Sequence, residues 1–171
     1  MRTTYGRRAL IGALALCVAA CPHRVETPRL DRFSPALALP SVGQVPYDWS
    51  ALRDRVVLVQ FFATWCFPCI GAIPLLQKLE QTYAAKGFIV VGVGMDLEGA
   101  QVLEPFVDQY QLSFPVLIAD ERIRQGQTPF GPITALPSTF LFARDGRLIT
   151  AFAGLPVASE IDQLVSRAVG E

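Results

Sequence analysis

An apolar run leads directly into a pair of cysteines in this chain. Residues Val56–Phe62 are apolar except for Gln60, and Trp65-Cys66-Phe67-Pro68-Cys69 follows after two further residues. A run that is apolar on both faces predicts a buried parallel strand, and helical periodicity from about Pro68 to Ala85 predicts a helix after it. The cysteines therefore lie at a strand–helix junction, where the free N–H groups and partial positive charge of a helix N-terminus stabilise a thiolate.

Two cysteines at this spacing favour redox chemistry. Cys66 and Cys69 can close a disulfide, and the second cysteine can resolve a mixed disulfide that the first one forms. A zinc site would need four ligands, whereas the chain after residue 23 has only these two cysteines and no histidine. A structural disulfide across so short a loop would constrain the unfolded chain weakly. We expect no metal and no cofactor, because the dithiol itself carries the electrons.

The N-terminus has the pattern of an export signal. Arg2, Arg7 and Arg8 precede a 12-residue apolar run that ends at Ala20. This run is shorter than the ~20 residues of a membrane-spanning helix, so residues 1–20 are predicted to be a signal peptide. The small residues before Cys21 resemble a bacterial lipobox, which predicts lipidation at Cys21. Ordinary cleavage near Ala20, which would leave a soluble periplasmic protein, is the alternative.

The rest of the chain is predicted to be a tether and one domain. Residues 21–32 are rich in proline and charge without an apolar period, which is typical of a tether. Residues 33–171 are long enough for one domain with its own core. The leader holds three of the 15 basic residues and none of the 15 acidic ones, so the remainder carries a net charge of −3. This charge argues against binding to nucleic acid.

The order of predicted elements indicates an α/β fold. After a short hairpin over residues 37–47, with Gly43 in its turn, the pattern is βα-βα-β and then ββα. It predicts a mixed sheet with helices on both faces. The second helix should begin one or two residues before Pro105, because a proline in a helix interior removes a hydrogen bond. Further strands are expected at residues 88–93, 114–118, 138–142 and 148–152, and a closing helix between Val157 and Ala168.

Four features together resemble the thioredoxin superfamily, and more narrowly the exported TlpA/ResA/CcmG-type proteins. They are the N-terminal hairpin, the strand leading into the two cysteines, the extra helix and strand between about Gly99 and Ile118, and Leu136-Pro137-Ser138. The resemblance implies a thioredoxin-like fold. Its mixed central β-sheet would be flanked by helices and would carry an N-terminal β-hairpin and an extra central helix–strand insertion.

The resemblance also implies roles for individual residues. Cys66 would attack the substrate and Cys69 would resolve the mixed disulfide. Pro137 would be a cis-proline facing the dithiol, with Leu136 free to pair with an extended substrate. Trp65 and Pro68 would be neighbours of the reacting sulfurs, although core filling is a rival explanation for Trp65.

Two positions depart from the family pattern. Gln60 stands where thioredoxin has a buried aspartate behind the dithiol, and an amide cannot accept the proton of Cys69. Phe67 stands where some cytochrome-maturation members carry an acidic residue. An apolar residue there suggests a contact surface for a protein partner, and drift at an exposed position is the rival explanation.

The sequence predicts a thiol:disulfide oxidoreductase, and more specifically a reductase of protein disulfides. Phe67-Pro68 offers no hydrogen-bonding histidine of the kind that makes strong oxidants. A dithiol oxidase and an assembly factor for cytochrome c or copper oxidase are the alternatives. A peroxiredoxin-like peroxidase would have a lone peroxidatic cysteine, and a copper chaperone would need a histidine from the domain, whereas the only histidine is His23.

The same resemblance implies the surroundings of such an enzyme. We expect protein disulfides as substrates and a membrane electron donor of the DsbD/CcdA type. The protein should be a monomer in the bacterial cell envelope, on the periplasmic side, and held at the membrane by its lipid anchor.

Overall fold

The computed structural model describes residues 29–154 and 156–170. The predicted signal peptide, the predicted lipidation site at Cys21 and most of the predicted tether lie outside this part of the chain. Within it, no helix is long and apolar enough to cross a membrane.

The described residues form five α-helices and six strands. The helices are α1 (Leu30–Phe33), α2 (Phe67–Tyr83), α3 (Ala100–Tyr110), α4 (Glu121–Arg124) and α5 (Ala158–Val169). The strands are β1 (Ser41–Val42), β2 (Val56–Phe62), β3 (Phe88–Gly94), β4 (Val116–Ile118), β5 (Ser138–Phe142) and β6 (Leu148–Ala153). Three 3₁₀ turns, Ser34–Leu37, Trp49–Leu52 and Ala84–Lys86, complete the regular structure of these residues.

The six strands form one mixed sheet in the order β1-β4-β3-β2-β5-β6. Strands β2, β3 and β4 run parallel, whereas β5 pairs antiparallel with β2 and β6 antiparallel with β5. The sheet with its flanking helices has the thioredoxin-like architecture that the sequence predicts. Because β2 and β3 are parallel neighbours, the residues that follow them meet at the same edge of the sheet.

Strand β2 is the centre of the core, and its two faces serve two apolar clusters. Val56, Leu58 and Phe62 pack with residues of α2, α3 and α5 on one face. Val57, Val59 and Phe61 pack on the other face, with α1, α4 and the aromatic ring of Phe130. A strand that is covered on both sides is mostly apolar, and this is the reason that Gln60 is the single polar residue of β2.

Helix α2 begins directly at the cysteines. Cys66 is its N-cap residue and Pro68 occupies the first turn, where a proline costs no hydrogen bond. Cys69, Ile73 and Leu76 face the sheet at helical spacing, and all three are buried. Pro74 lies inside the helix.

The N-terminal hairpin was an incorrect prediction. Within residues 37–47 the only strand is β1, and it pairs antiparallel with β4, far along the chain. Pro40 accepts a hydrogen bond from Ile118 N–H, which directs this segment toward β4. Pro46 has no N–H with which to complete a hairpin ladder. The start of α3 was also predicted wrongly, because the helix begins at Ala100, five residues before Pro105.

The packed part of the chain includes residues before the predicted boundary at residue 33. Helix α1 begins at Leu30, whose side chain is buried, and Arg29 forms an isolated bridge with Arg147. At the other end, α5 closes the domain and Gly170 caps it in the left-handed conformation with φ of 96°. A glycine adopts that conformation at little steric cost.

Candidate active site

Cys66 and Cys69 form a disulfide at the N-terminus of α2. Their sulfur atoms are 2.10 Å apart and their Cα atoms 5.2 Å apart. The Cys69 N–H donates a hydrogen bond to Cys66 Sγ over 3.2 Å, so one free donor of the helix N-terminus points at the first sulfur. The same donor can stabilise a thiolate on Cys66 when the disulfide is reduced.

The disulfide is buried while its sequence neighbours are exposed. Cys66 and Cys69 are 5% and 2% exposed, whereas Trp65 is 69% and Phe67 is 85% exposed. Core filling was therefore the wrong explanation for Trp65. Both aromatic side chains stand at the rim of the site, where an approaching protein would touch them.

A cis peptide bond joins Leu136 to Pro137, as the resemblance implied. Pro137 O accepts a hydrogen bond from Gly154 N–H over 2.7 Å, and Ser138 Oγ donates to Ala135 O over 2.7 Å. These bonds fix the segment that leads into β5. An open groove lies between this segment and the cysteine loop. It is lined by Trp65, Cys66, Phe67, Pro68, Ile133, Thr134, Ala135 and Leu136.

Gln60 lies behind the disulfide, as the sequence comparison with thioredoxin indicated. Its side chain is 3% exposed and shares a small apolar cavity with Cys69, Ile73 and Phe106. Thr139 is its cross-strand partner on β5, and the Thr139 hydroxyl is buried without a hydrogen-bond partner among the described residues. Cys69 therefore shares its cavity with the neutral amide of Gln60, and no carboxylate lines that cavity.

The sequence analysis missed a carboxylate on the other side of the cysteine loop. Asp96 follows β3, is 3% exposed, and accepts hydrogen bonds from the N–H and hydroxyl of Thr64. One signal could have revealed it. Asp96 and Thr64 each follow a predicted parallel strand, and the carboxyl ends of adjacent parallel strands share one edge of the sheet.

No group of three or more histidine, cysteine or acidic side chains in the described ranges could hold a metal ion. The ionisable groups with displaced pKa values lie away from the groove. Burial raises the pKa of Glu80 to about 7, although the Val90 N–H and Arg55 act in the opposite direction. Glu80 is on α2, three turns beyond the cysteines.

A buried disulfide lies at a helix N-terminus on a thioredoxin-like sheet, and the segment that shares its groove leads into a cis-proline. This arrangement defines a thiol-disulfide oxidoreductase. The comparisons with known proteins agree, and the chain belongs to the Redoxin family, whose sequence profile matches residues 30–165. A curated relative is the thiol-disulfide oxidoreductase ResA of Bacillus thuringiensis (strain Al Hakam). The two sequences are 31% identical over 137 residues, which are 80% of this chain and 77% of that protein.

Solved structures of similar proteins agree with this assignment. A putative thiol:disulfide interchange protein DsbE from Chlorobium tepidum superposes with a TM-score of 0.69 at 30% identity, over 84% of this chain and 97% of that one. A second thioredoxin-family interchange protein, from Chlorobium tepidum TLS, gives 0.66 at 27% identity, over 85% and 98%. The chain is thus a thiol-disulfide oxidoreductase of the ResA/DsbE type.

Proposed function

We propose that this protein reduces disulfide bonds in other proteins, with Cys66 as the nucleophile and Cys69 as the resolving thiol. The observation that carries the proposal is the asymmetry of the pair. Cys66 borders the open groove and receives an N–H at its sulfur, whereas Cys69 lines a small apolar cavity between α2 and the sheet. A substrate that enters the groove meets Cys66 first.

The reaction proceeds in two exchanges. The Cys66 thiolate attacks one sulfur of the substrate disulfide, the substrate S–S bond breaks, and the other substrate sulfur leaves as a thiolate that takes up a proton. Cys69 then loses its proton and attacks Cys66 Sγ, which forms the Cys66–Cys69 disulfide and releases the second substrate thiol. Two electrons and two protons pass from the dithiol to the substrate.

The groove suits an extended segment of a protein substrate. The main-chain N–H and C=O of Leu136 have no hydrogen-bond partner among the described residues. An extended segment could pair with them as an added strand. This pairing would hold the substrate sulfur opposite Cys66, and the exposed rings of Trp65 and Phe67 would cover the apolar side chains beside it.

The residues between the cysteines support the reducing direction. Phe67 and Pro68 have no side-chain hydrogen-bond donor, so the reduced dithiol gains less stabilisation than in a strong oxidant. A dithiol whose disulfide is harder to reduce is the better electron donor. Electrons would then have to come from a donor, and we propose a membrane protein of the DsbD/CcdA type for this step.

The surroundings of the enzyme are part of the proposal. The apolar run before Ala20 supports export to the periplasmic side of a bacterial envelope, and Cys21 supports a lipid anchor that would keep a monomer close to its membrane donor. Assembly of cytochrome c or of a copper oxidase is the alternative setting for the same chemistry.

Trapping of the mixed disulfide tests the assignment of the two cysteines. With Cys17 and Cys21 replaced by serine, the variant Cys69→Ser, incubated with a disulfide-bonded protein such as insulin, should accumulate a covalent adduct through Cys66. The matched variant Cys66→Ser should accumulate little. Equal adducts in the two variants would refute distinct roles for the cysteines, and an adduct that forms mainly in Cys66→Ser would show that the roles are reversed. No reduction of insulin by the reduced wild-type protein would refute the reductase proposal.

A further inference from the structure

Asp96 is a buried carboxylate whose bonds go to the cysteine loop. Its Oδ1 accepts the Thr64 hydroxyl over 2.7 Å, and its two oxygens lie 3.2 and 3.1 Å from Thr64 N. Burying a carboxylate is costly unless donors compensate it. Two donors from one residue indicate that the carboxylate and Thr64 hold each other in place.

Thr64 is two residues from the proposed nucleophile. Two residues of chain span at most about 7 Å between Cα atoms, so the carboxylate holds the main chain next to Cys66. The Cys66 N–H donates to Ala63 O over 3.1 Å, which closes a tight turn over residues 63–66. Asp96 binds the middle of that turn through Thr64.

The main chain of Asp96 is bonded to α4. Arg124 Nη2 donates to Asp96 O over 3.0 Å, and Arg124 belongs to α4, in the chain segment that leads to Ile133 and Leu136. Residue 96 therefore joins the cysteine loop to α4. Its predecessor Met95 donates to Phe62 O over 2.8 Å, which ties the same turn to the end of β2.

The stabilisation of a thiolate on Cys66 depends on the position of its sulfur relative to the N-terminus of α2. The residues that line the groove with it carry no ionisable side chain, and the first turn of α2 has no acidic residue. A thiolate on Cys66 must therefore be stabilised mainly by the helix N-terminus, including the Cys69 N–H at 3.2 Å. Such stabilisation falls off within the first turn of the helix, so a loop that moves the sulfur away from those donors weakens it.

We propose that Asp96 is a positioning residue for the dithiol: by holding Thr64 it keeps Cys66 at the N-cap of α2, where the helix N–H groups stabilise its thiolate. This inference rests on the assignment of Cys66 as the nucleophile. Asp96 would thus contribute to the redox site although it touches neither the substrate nor a sulfur atom.

The test is the pH dependence of Cys66 alkylation in the full chain, with Cys17, Cys21 and Cys69 replaced by serine. Loss of the Asp96 charge would by itself lower the midpoint of alkylation, whereas loss of the positioning should raise it. We expect the positioning to dominate, so that Asp96→Ala moves the midpoint up by about one pH unit. Below both midpoints the thiolate fraction falls tenfold, and the greater nucleophilicity of the more basic thiolate restores about threefold. The net rate of alkylation should therefore fall about threefold. Asp96→Asn keeps one acceptor for Thr64 and should lie between Asp96→Ala and the parent.

Two further variants separate positioning from charge and from folding. Glu98→Ala removes an exposed acidic charge two residues away and should leave the midpoint unchanged. Thr64→Val removes the hydroxyl donor but keeps the N–H, so it should raise the midpoint by less than Asp96→Ala and provides a readout if Asp96→Ala fails to fold. Equal midpoints in the parent, Asp96→Ala and Thr64→Val would overturn the inference. Trapping that assigns the attack to Cys69 would instead overturn the proposed function.

Discussion

Replacing Glu80 with glutamine should remove most of the loss of stability that the domain shows between pH 5 and pH 8. Glu80 Oε2 accepts the Val90 N–H over 2.7 Å. Strand β4 pairs with β3 only from Gly92 onward. Without Glu80 the Val90 N–H would therefore lose its hydrogen-bond partner. A glutamine carbonyl can accept the same bond, whereas it cannot ionise. The variant therefore isolates the ionisation of the carboxyl from its structural role.

The sign follows from the direction of the displaced pKa. Burial raises the pKa of Glu80 from 4.5 to about 7, so between these values the unfolded chain releases a proton that the folded protein keeps. The free energy of unfolding must then fall as the pH rises through this window. The displacement corresponds to about 3 kcal/mol at 1.36 kcal/mol per pKa unit, and screening at this half-buried side chain should reduce it to about 1.5 kcal/mol.

Urea unfolding of the oxidised protein at pH 5 and pH 8 measures the effect. The wild-type protein should lose about 1.5 kcal/mol more than Glu80→Gln over this interval. Glu104→Gln, at an exposed position on α3, is the matched control and should behave like the wild type. If Glu80→Gln and the wild type lose equal stability between the two pH values, the reasoning about Glu80 is refuted.

Three further substitutions test the packing and the redox site. A Cβ at Gly94 would overlap both Cδ atoms of Leu103, so Gly94→Ala should cost about 1–3 kcal/mol in urea unfolding. A Cβ at Gly71 on α2 meets nothing within 4 Å, so Gly71→Ala should stabilise by up to about 1 kcal/mol, and a loss of stability there would contradict the packing. Pro68→His adds a hydrogen-bond donor for the Cys66 thiolate. It should raise the reduction potential of the Cys66–Cys69 pair by about 30 mV, because one charge-assisted hydrogen bond is worth ~1.5 kcal/mol. An unchanged or lower potential would contradict the argument that the lack of a donor between the cysteines favours the reducing direction.

The centre of the fold could be predicted because its signals are local. The apolar run of β2 gave the bounds Val56–Phe62 correctly, since a strand covered on both faces cannot carry a regular polar position. The cysteines and Pro68 marked the start of α2. The turn with Gly146 between β5 and β6 was also predictable, because Gly146 has a positive φ of 81° and glycine is the residue that such turns favour.

The remainder depends on contacts between distant residues. The two residues of β1 are a strand only because β4 lies beside them, more than 70 positions later, and nothing local distinguishes them from a loop. Asp96 and Thr64 are 32 residues apart, so their pairing follows from the parallel arrangement of β2 and β3 and has no sequence pattern of its own. Trp65 was ambiguous because an aromatic residue suits both a core and a rim.

The reduction potential of the Cys66–Cys69 pair tests the proposed reductase most directly. It should be measured by equilibration with defined thiol–disulfide buffers, in the full chain with Cys17 and Cys21 replaced by serine so that no other thiol exchanges. A value near about −270 mV, as in thioredoxin, is the result that we predict for a reductase. A value near about −120 mV, as in the strong oxidant DsbA, would contradict the proposal and would show that the protein inserts disulfides.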